Sequence, residues 1–344
     1  QNAALIFIQL LFAGIVIILL DELLQKGWGL GSGVSLFIAA GVAGQIFWNM
    51  CSFIEGPDAA QLPRGIVIAF FSVLFDDDPT TNLDDLFLRE AGLPSILGGI
   101  TTLIIFLIVI WFEGTRVEIP LQYANYRGFK GKYPMKLLYV SNIPVILVNA
   151  LYANILFFGQ LLAGPRSTLR GQGYDFWLDL IGTFEAQDAG QGMGGYLTPT
   201  SGLIWLLSPP QGLDALIQAP GRAVIYLIIF IFLCIMLGRV WVEVSGLAPR
   251  DIARQIIDSG MQVPGFRRSE KIIERILKRY IPTLVILNGI IIALLSFMAD
   301  SLGALTSGTG LLIAIGITHQ YAETISKEVA AEQYPGMRGV LGLD

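Results

Sequence analysis

Long uninterrupted apolar stretches constrain this chain more than any motif does. A helix needs roughly 17–25 residues to cross a bilayer. Seven stretches qualify, at approximately 3–20, 33–54, 95–112, 141–162, 223–242, 281–298 and 305–321, here spans A to G. Span G is the weakest, because it begins in Ser307, Gly308, Thr309 and Gly310 and ends in polar residues. Only helices and closed barrels satisfy every backbone group in lipid. Barrel strands alternate in polarity; Ile104 to Trp111 and Ile225 to Leu233 do not, so helices are expected. Charged residues are 14% of the chain, about half the usual share in a soluble domain. The chain therefore reads as an all-α polytopic membrane protein. It begins at Gln1, without an initiator Met or a signal peptide, as a processed or incomplete chain would.

Basic residues orient the spans. The loops A–B, C–D and E–F with the C-terminus, together with Arg239 at the inner end of span E, hold 17 of the 22 Lys and Arg, and every lysine. By the positive-inside rule this side is cytoplasmic. The B–C and D–E loops then face outward. Asp76, Asp77, Asp78, Asp84 and Asp85 in the B–C loop invite a Ca²⁺ reading, but EF-hand spacing and its closing Glu are absent, which leaves a solvated acidic surface. The preceding stretch, 65–75, is apolar but too short to span, so it reads as a surface or re-entrant segment. The Gly-rich D–E loop should be partly ordered, since Trp177, Phe184 and Trp205 need packing partners.

Motifs for bond chemistry are missing. The sequence has no HExxH, no CxxC pair and no P-loop. Its two cysteines, Cys51 and Cys234, lie in apolar runs and form no disulfide framework. The lone His319 reads as a helix-end residue at the headgroup level; pairing it with Ser32 as an intramembrane protease has no supporting spacing. Gly27, Gly29, Gly31 and Gly33 precede span B, and Gly303, Gly308 and Gly310 precede the core of span G. Small residues let membrane helices approach closely, and broken helix starts also occur in transporters. An ion-coupled transporter usually carries an intramembrane carboxylate, and no span has one at its middle. Span D instead carries Asn142, Asn149 and Asn154, which points to a helix facing other helices or water. Two cytoplasmic loops are strongly basic. The first holds Arg116, Arg127, Lys130, Lys132 and Lys136 among aromatic residues; the second holds Arg267, Arg268, Lys271, Arg275, Lys278 and Arg279. Anionic lipid and RNA phosphates both fit such clusters.

Five segments carry a resemblance: LDELLQKGWGLGSGVSLFIAAG (20–41), RVEIPL (116–121), GKYPMKLLYVSNIPVILVNALYANI (131–155), GFRRSEKIIERILKRYIP (265–282) and GALTSGTGLL (303–312). The chain resembles the SecY family over essentially its whole length, closest to the archaeal type with the ER form next. The resemblance implies the pore-forming alpha subunit of the Sec protein-translocation channel, a ten-helix clamshell of two pseudo-symmetric halves. Spans A to G would match its fourth to tenth helices. Residues 1–94 would end the N-terminal half with two membrane helices and the acidic outer loop, and 95–344 would form the C-terminal half. Val34, Ile38, Ile146 and Leu312 match positions of an apolar pore ring. Asn154 matches a polar lateral-gate position. Arg127, Lys130 and Lys132 of the first basic loop, and Arg267, Arg268 and Lys271 of the second, match loops that dock the ribosome. Implied partners are the SecE/gamma subunit, the small beta subunit, the ribosome, signal sequences, nascent polypeptides and membrane lipid. The implied function is passage of unfolded polypeptides across the membrane and lateral release of transmembrane segments, with no bond chemistry, no cofactor and no metal. The implied location is the archaeal plasma membrane, or the ER membrane in a eukaryote. A secondary transporter of a small solute is the alternative.

Overall fold

A computed structural model describes residues 2–28, 32–56, 62–75, 86–87, 89, 93–123, 130–165, 167, 175–187, 196–210, 212–258, 261–262 and 269–333. Helix α1 (Asn2–Leu23) runs into one π-helical turn, Leu24–Trp28, and is followed by α2 (Gly33–Cys51), α3 (Ile66–Phe75) and α4 (Ile96–Gly114). Strands β1 (Arg116–Tyr123) and β2 (Lys130–Lys136) lead to α5 (Ile143–Ala163). Then come α6 (Asp175–Ile181), β3 (Thr183–Gln187), β4 (Tyr196–Ser201), α7 (Gly202–Leu207) and α8 (Gly212–Gln218). The chain continues through α9 (Pro220–Val244), α10 (Pro249–Asp258), β5 (Met261–Gln262), α11 (Glu270–Ser301) and α12 (Gly308–Gln333).

Among the described residues six helices are long and apolar enough to cross a membrane. The seventh span lies in α12, a 26-residue helix whose second half is polar. The acidic clusters of the B–C loop lie outside the described residues, and so does the glycine run of the D–E loop. Residues 66–75, too short to span, form the ten-residue α3.

Local sequence accounts for the helix starts. Ser95 caps α4 by accepting from the Gly98 amide at 3.1 Å. Pro144 and Pro220 sit in the first turns of α5 and α9, where the missing N–H costs nothing. Helix α2 is capped from outside: Asp21 of α1 accepts from the Val34 amide at 3.0 Å and from Ser32 Oγ at 3.3 Å. A side-chain carbon on Gly33 would sit 2.7 Å from Leu24 and 3.0 Å from the Asp21 backbone, so only glycine allows this turn to close.

The main core lies among α4, α5, α9, α11 and α12, and includes Ile105, Val148, Phe230, Ile292 and Leu311. Rings at Tyr152, Tyr226 and Phe230 knit α5 to α9, with centroids 5.4–6.2 Å apart; Phe230 stacks on both tyrosines. A second core lies at the end of the molecule that carries the basic loops. There α11, at 32 residues longer than a bilayer crossing needs, packs Ile273, Leu277 and Ile281 on Ile252, Ala253 and Ile256 of amphipathic α10 and on Ile119 and Met135 of the strands. On the outer side Phe184 and Ile204 are buried together, and the Arg222 guanidinium lies 4.4 Å over the Trp205 ring. Trp177, expected to pack, is exposed. Helix α1 packs on α2, and its large apolar side chains from Leu5 to Leu20 are uncovered.

Candidate functional site

Helix α12 is the centre around which the candidate pore residues are arranged. Helix α2 runs antiparallel beside it. Asn49 Nδ2 donates to the Leu305 carbonyl at 2.7 Å, Thr306 Oγ1 donates to Gln45 at 3.0 Å, and Tyr321 OH donates to the Ser32 carbonyl at 2.6 Å. Between Val34 and Met50 the partly buried residues of α2 are Ser35, Ala39, Val42, Ile46 and Asn49, a helical stripe turned toward its neighbours. Val34 and Ile38 flank that stripe and are 41% and 45% exposed.

Helix α5 meets α12 from another side through its asparagines. Asn142 Nδ2 donates to the Leu312 carbonyl at 2.6 Å, and Asn149 Nδ2 donates to Thr309 Oγ1. Positions 142, 146 and 149 fall on neighbouring turns. Ile146 is thereby held at the depth of Thr309 to Leu312, with its side chain 39% exposed. Asn154 lies two turns farther along the same uncovered stripe, exposed, and donates to Ala150 of its own helix at 2.8 Å.

Leu312 departs from the arrangement expected of a ring member. It is 1% exposed and sits in the main core. The cause is the position of α12, which packs on α2, α4, α5 and α11, so most of its faces are covered. The structure thus brings Ile146 and Leu312 to one depth but leaves only Val34, Ile38 and Ile146 on open surfaces.

At the basic end of the molecule the two basic loops form one structure. Strands β1 and β2 pair antiparallel, and β5 from the second loop adds to β1 through Gln122↔Gln262 and Tyr123↔Met261. Lys130 and Lys132 lie in β2, opposite Gln122 and Pro120. Lys271 is exposed in the first turn of α11. Arg127, Arg267 and Arg268 fall outside the described residues. Sequence reasoning treated both segments as loops. The missed signal was the alternation of Val117, Ile119, Leu121 and Tyr123, which is a strand pattern.

At the root of this sheet, Arg116 Nη2 lies 2.8 Å from Glu323 of α12, and Lys136 Nζ lies 3.5 Å from Glu323 and 3.8 Å from buried Glu113. His319 Nδ1 lies 3.9 Å from Glu323. Burial alone would raise the Glu323 carboxyl; Lys136, His319 and Arg116 outweigh it and hold the group below its ordinary value. Ser32 and His319 have different partners and form no dyad. Among the described residues no group of three or more His, Cys, Asp or Glu is placed to hold a metal.

Comparison with known proteins follows the same outline. Residues 1–322 match the family model SecY. The chain is 39% identical over 344 residues to the protein translocase subunit SecY of Pyrococcus horikoshii, covering 98% of this chain and 68% of that protein. It is 40% identical over 335 residues to the Sec61 subunit alpha of Dictyostelium discoideum, covering 95% and 66%. A solved structure described as a protein conducting channel superposes with a TM-score of 0.68 at 36% identity, covering 94% of this chain and 65% of its own. Sec61 in the canine ribosome-channel complex superposes with a TM-score of 0.65 at 34% identity, covering 94% and 65%. The chain therefore spans about two thirds of the length of these relatives. A solute transporter finds no support among them. With seven helices in the expected order and the family matched over almost all of its residues, this chain belongs to the SecY family of membrane-embedded protein-translocation channel subunits.

Proposed function

We propose that this chain builds the wall of a polypeptide-conducting pore, with Val34, Ile38 and Ile146 lining an apolar constriction and Leu312 bracing it from within the core. The observation that carries the reading is the exposure of these three apolar side chains beside α12, on helices otherwise tied to α12 by hydrogen bonds. An apolar neck resists hydration and ion passage, and it offers no specific contact that would hold a moving polypeptide. Asn154, farther out on the same α5 stripe, serves the lateral gate. The halves on either side of residue 94 open as a clamshell to release transmembrane segments into lipid. The pore performs no bond chemistry and is driven from outside. Its partners are the SecE/gamma and small beta subunits, signal sequences and nascent chains, in the archaeal plasma membrane or the ER membrane.

The basic cytoplasmic sheet docks the ribosome through Arg127, Lys130, Lys132, Arg267, Arg268 and Lys271. Support comes from the β1–β5 pairing, which unites loops some 140 residues apart, and from the ribosome-bound state of the canine relative. The test of the pore is conductance of the complete channel in planar bilayers. I38N/I146N should raise resting ion leak over wild type, while I18N, on the uncovered side of α1 away from α2, should not. Equal resting leak in I38N/I146N and wild type would refute the constriction.

A further inference from the structure

We propose that Glu323 is a positioning residue that pins the root of the β1–β2 hairpin to α12 and thereby sets the orientation in which the basic sheet meets its partner. The inference rests on the docking reading above. Arg116 and Lys136 are directly opposite in the antiparallel register, at the first rung of the hairpin. Opposed residues in such a pair project to the same face, and like charges there destabilise it. The rung is kept together from outside the sheet. Glu323 meets Arg116 with Oε1 at 2.8 Å and Lys136 with Oε2 at 3.5 Å, one carboxylate between two cations. Glu113, 3% exposed at the end of α4, adds a second carboxylate 3.8 Å from Lys136.

The Glu323 side chain is only 25% exposed, so water and salt screen this cluster less than a free surface pair. Two residues earlier on α12, Tyr321 holds the Ser32 carbonyl at the start of α2. The middle of α12 therefore grips both the hairpin root and the helix that carries Val34 and Ile38. Load applied to the hairpin reaches the pore wall through this one stretch of helix.

The experiment uses the complete channel complex with Cys51 and Cys234 replaced and spin labels at P134C on β2 and Q320C on α12. Wild type should give a narrow distance distribution. E323Q should broaden it, E323R should broaden it further, and R116E/E323R should restore it, because Glu at position 116 also faces Lys136 favourably. An unchanged distribution in E323R, or no restoration in R116E/E323R, would overturn the pin. Ribosome affinity of the unlabelled variants is measured in parallel. E323R should weaken it by roughly tenfold, about 1.4 kcal/mol, with recovery in R116E/E323R. A distribution that responds while affinity does not would leave the pin standing and overturn its part in docking. Absence of ribosome binding by wild type at any salt concentration would instead refute the docking reading.

Discussion

Gly316 and Asn142 make the joint between α12 and α5, and their coupling can be worked from the coordinates. A methyl carbon on Gly316 would lie 2.6 Å from Asn142 Nδ2. The amide cannot simply swing away, since the residue is 7% exposed and its Nδ2 is committed to the Leu312 carbonyl. Gly316→Ala should therefore cost about 1–2 kcal/mol, as overpacking does. Asn142→Ala loses one interhelical hydrogen bond, worth about 0.6–1.7 kcal/mol in membrane proteins. It also removes Oδ1, a buried oxygen without a partner, so its net cost should stay below about 1 kcal/mol. In the Asn142→Ala background the clash is gone, and alanine gains up to about 1 kcal/mol in helix propensity over glycine. The double variant should be more stable than Gly316→Ala alone, with a coupling energy of about 2 kcal/mol. Unfolding of the purified channel in detergent mixtures, monitored for all four proteins of the cycle, reads this directly. Additivity within about 0.5 kcal/mol would show that the two residues do not share the joint.

Two further outcomes are expected. Glu323 is held below its ordinary value of 4.5 in the folded protein, so its stabilising contribution is complete above that pH and is lost as pH falls through the lowered value; E323Q should lose less stability than wild type on acidification below pH 4.5, and parallel profiles would contradict the pairing. For orientation, Lys271→Cys should react with an impermeant maleimide only from the cytoplasmic side and Phe176→Cys only from outside, and the reverse pattern at either site would invert the topology.

What could be read from sequence divides along a physical line. Span length and loop charge are one-dimensional quantities, so the apolar runs and the basic side were visible without knowing what packs on what. Span G was legible as a helix although its second half is polar, because the first half is apolar enough to mark it. The asparagines of α5 could be assigned to a face that is not lipid, yet not to their acceptors, since Asn142 bonds a backbone carbonyl 170 residues away. Leu312 illustrates the limit. Leu311, Leu312 and Ile315 are all buried, and which neighbour covers each depends on α2, α4, α5 and α11 arriving around one axis. The union of the basic loops was also hidden, because β5 is only two residues long and carries no pattern of its own.

The kind of contact along α12 matters as much as its location. In lipid, apolar helices gain little from the hydrophobic effect when they associate, so close packing and hydrogen bonds set their positions. A side chain on Gly308 would strike the Ser296 carbonyl, so α11 and α12 approach backbone to backbone at this turn. The contacts from α2 and α5 combine apolar packing with polar links. Val145 and Val148 of α5 share the main core with Leu311 and Leu312, and Ile46 of α2 packs against it, while single amides and hydroxyls at Asn49, Thr306, Asn142 and Tyr321 are spaced along the helix. Each such bond contributes on the order of 1 kcal/mol and is regained when a passing polar group takes its place. Helix α12 is therefore joined to α11 by close backbone approach, and to the helices that carry Ile38 and Ile146 by apolar packing supplemented by replaceable polar links.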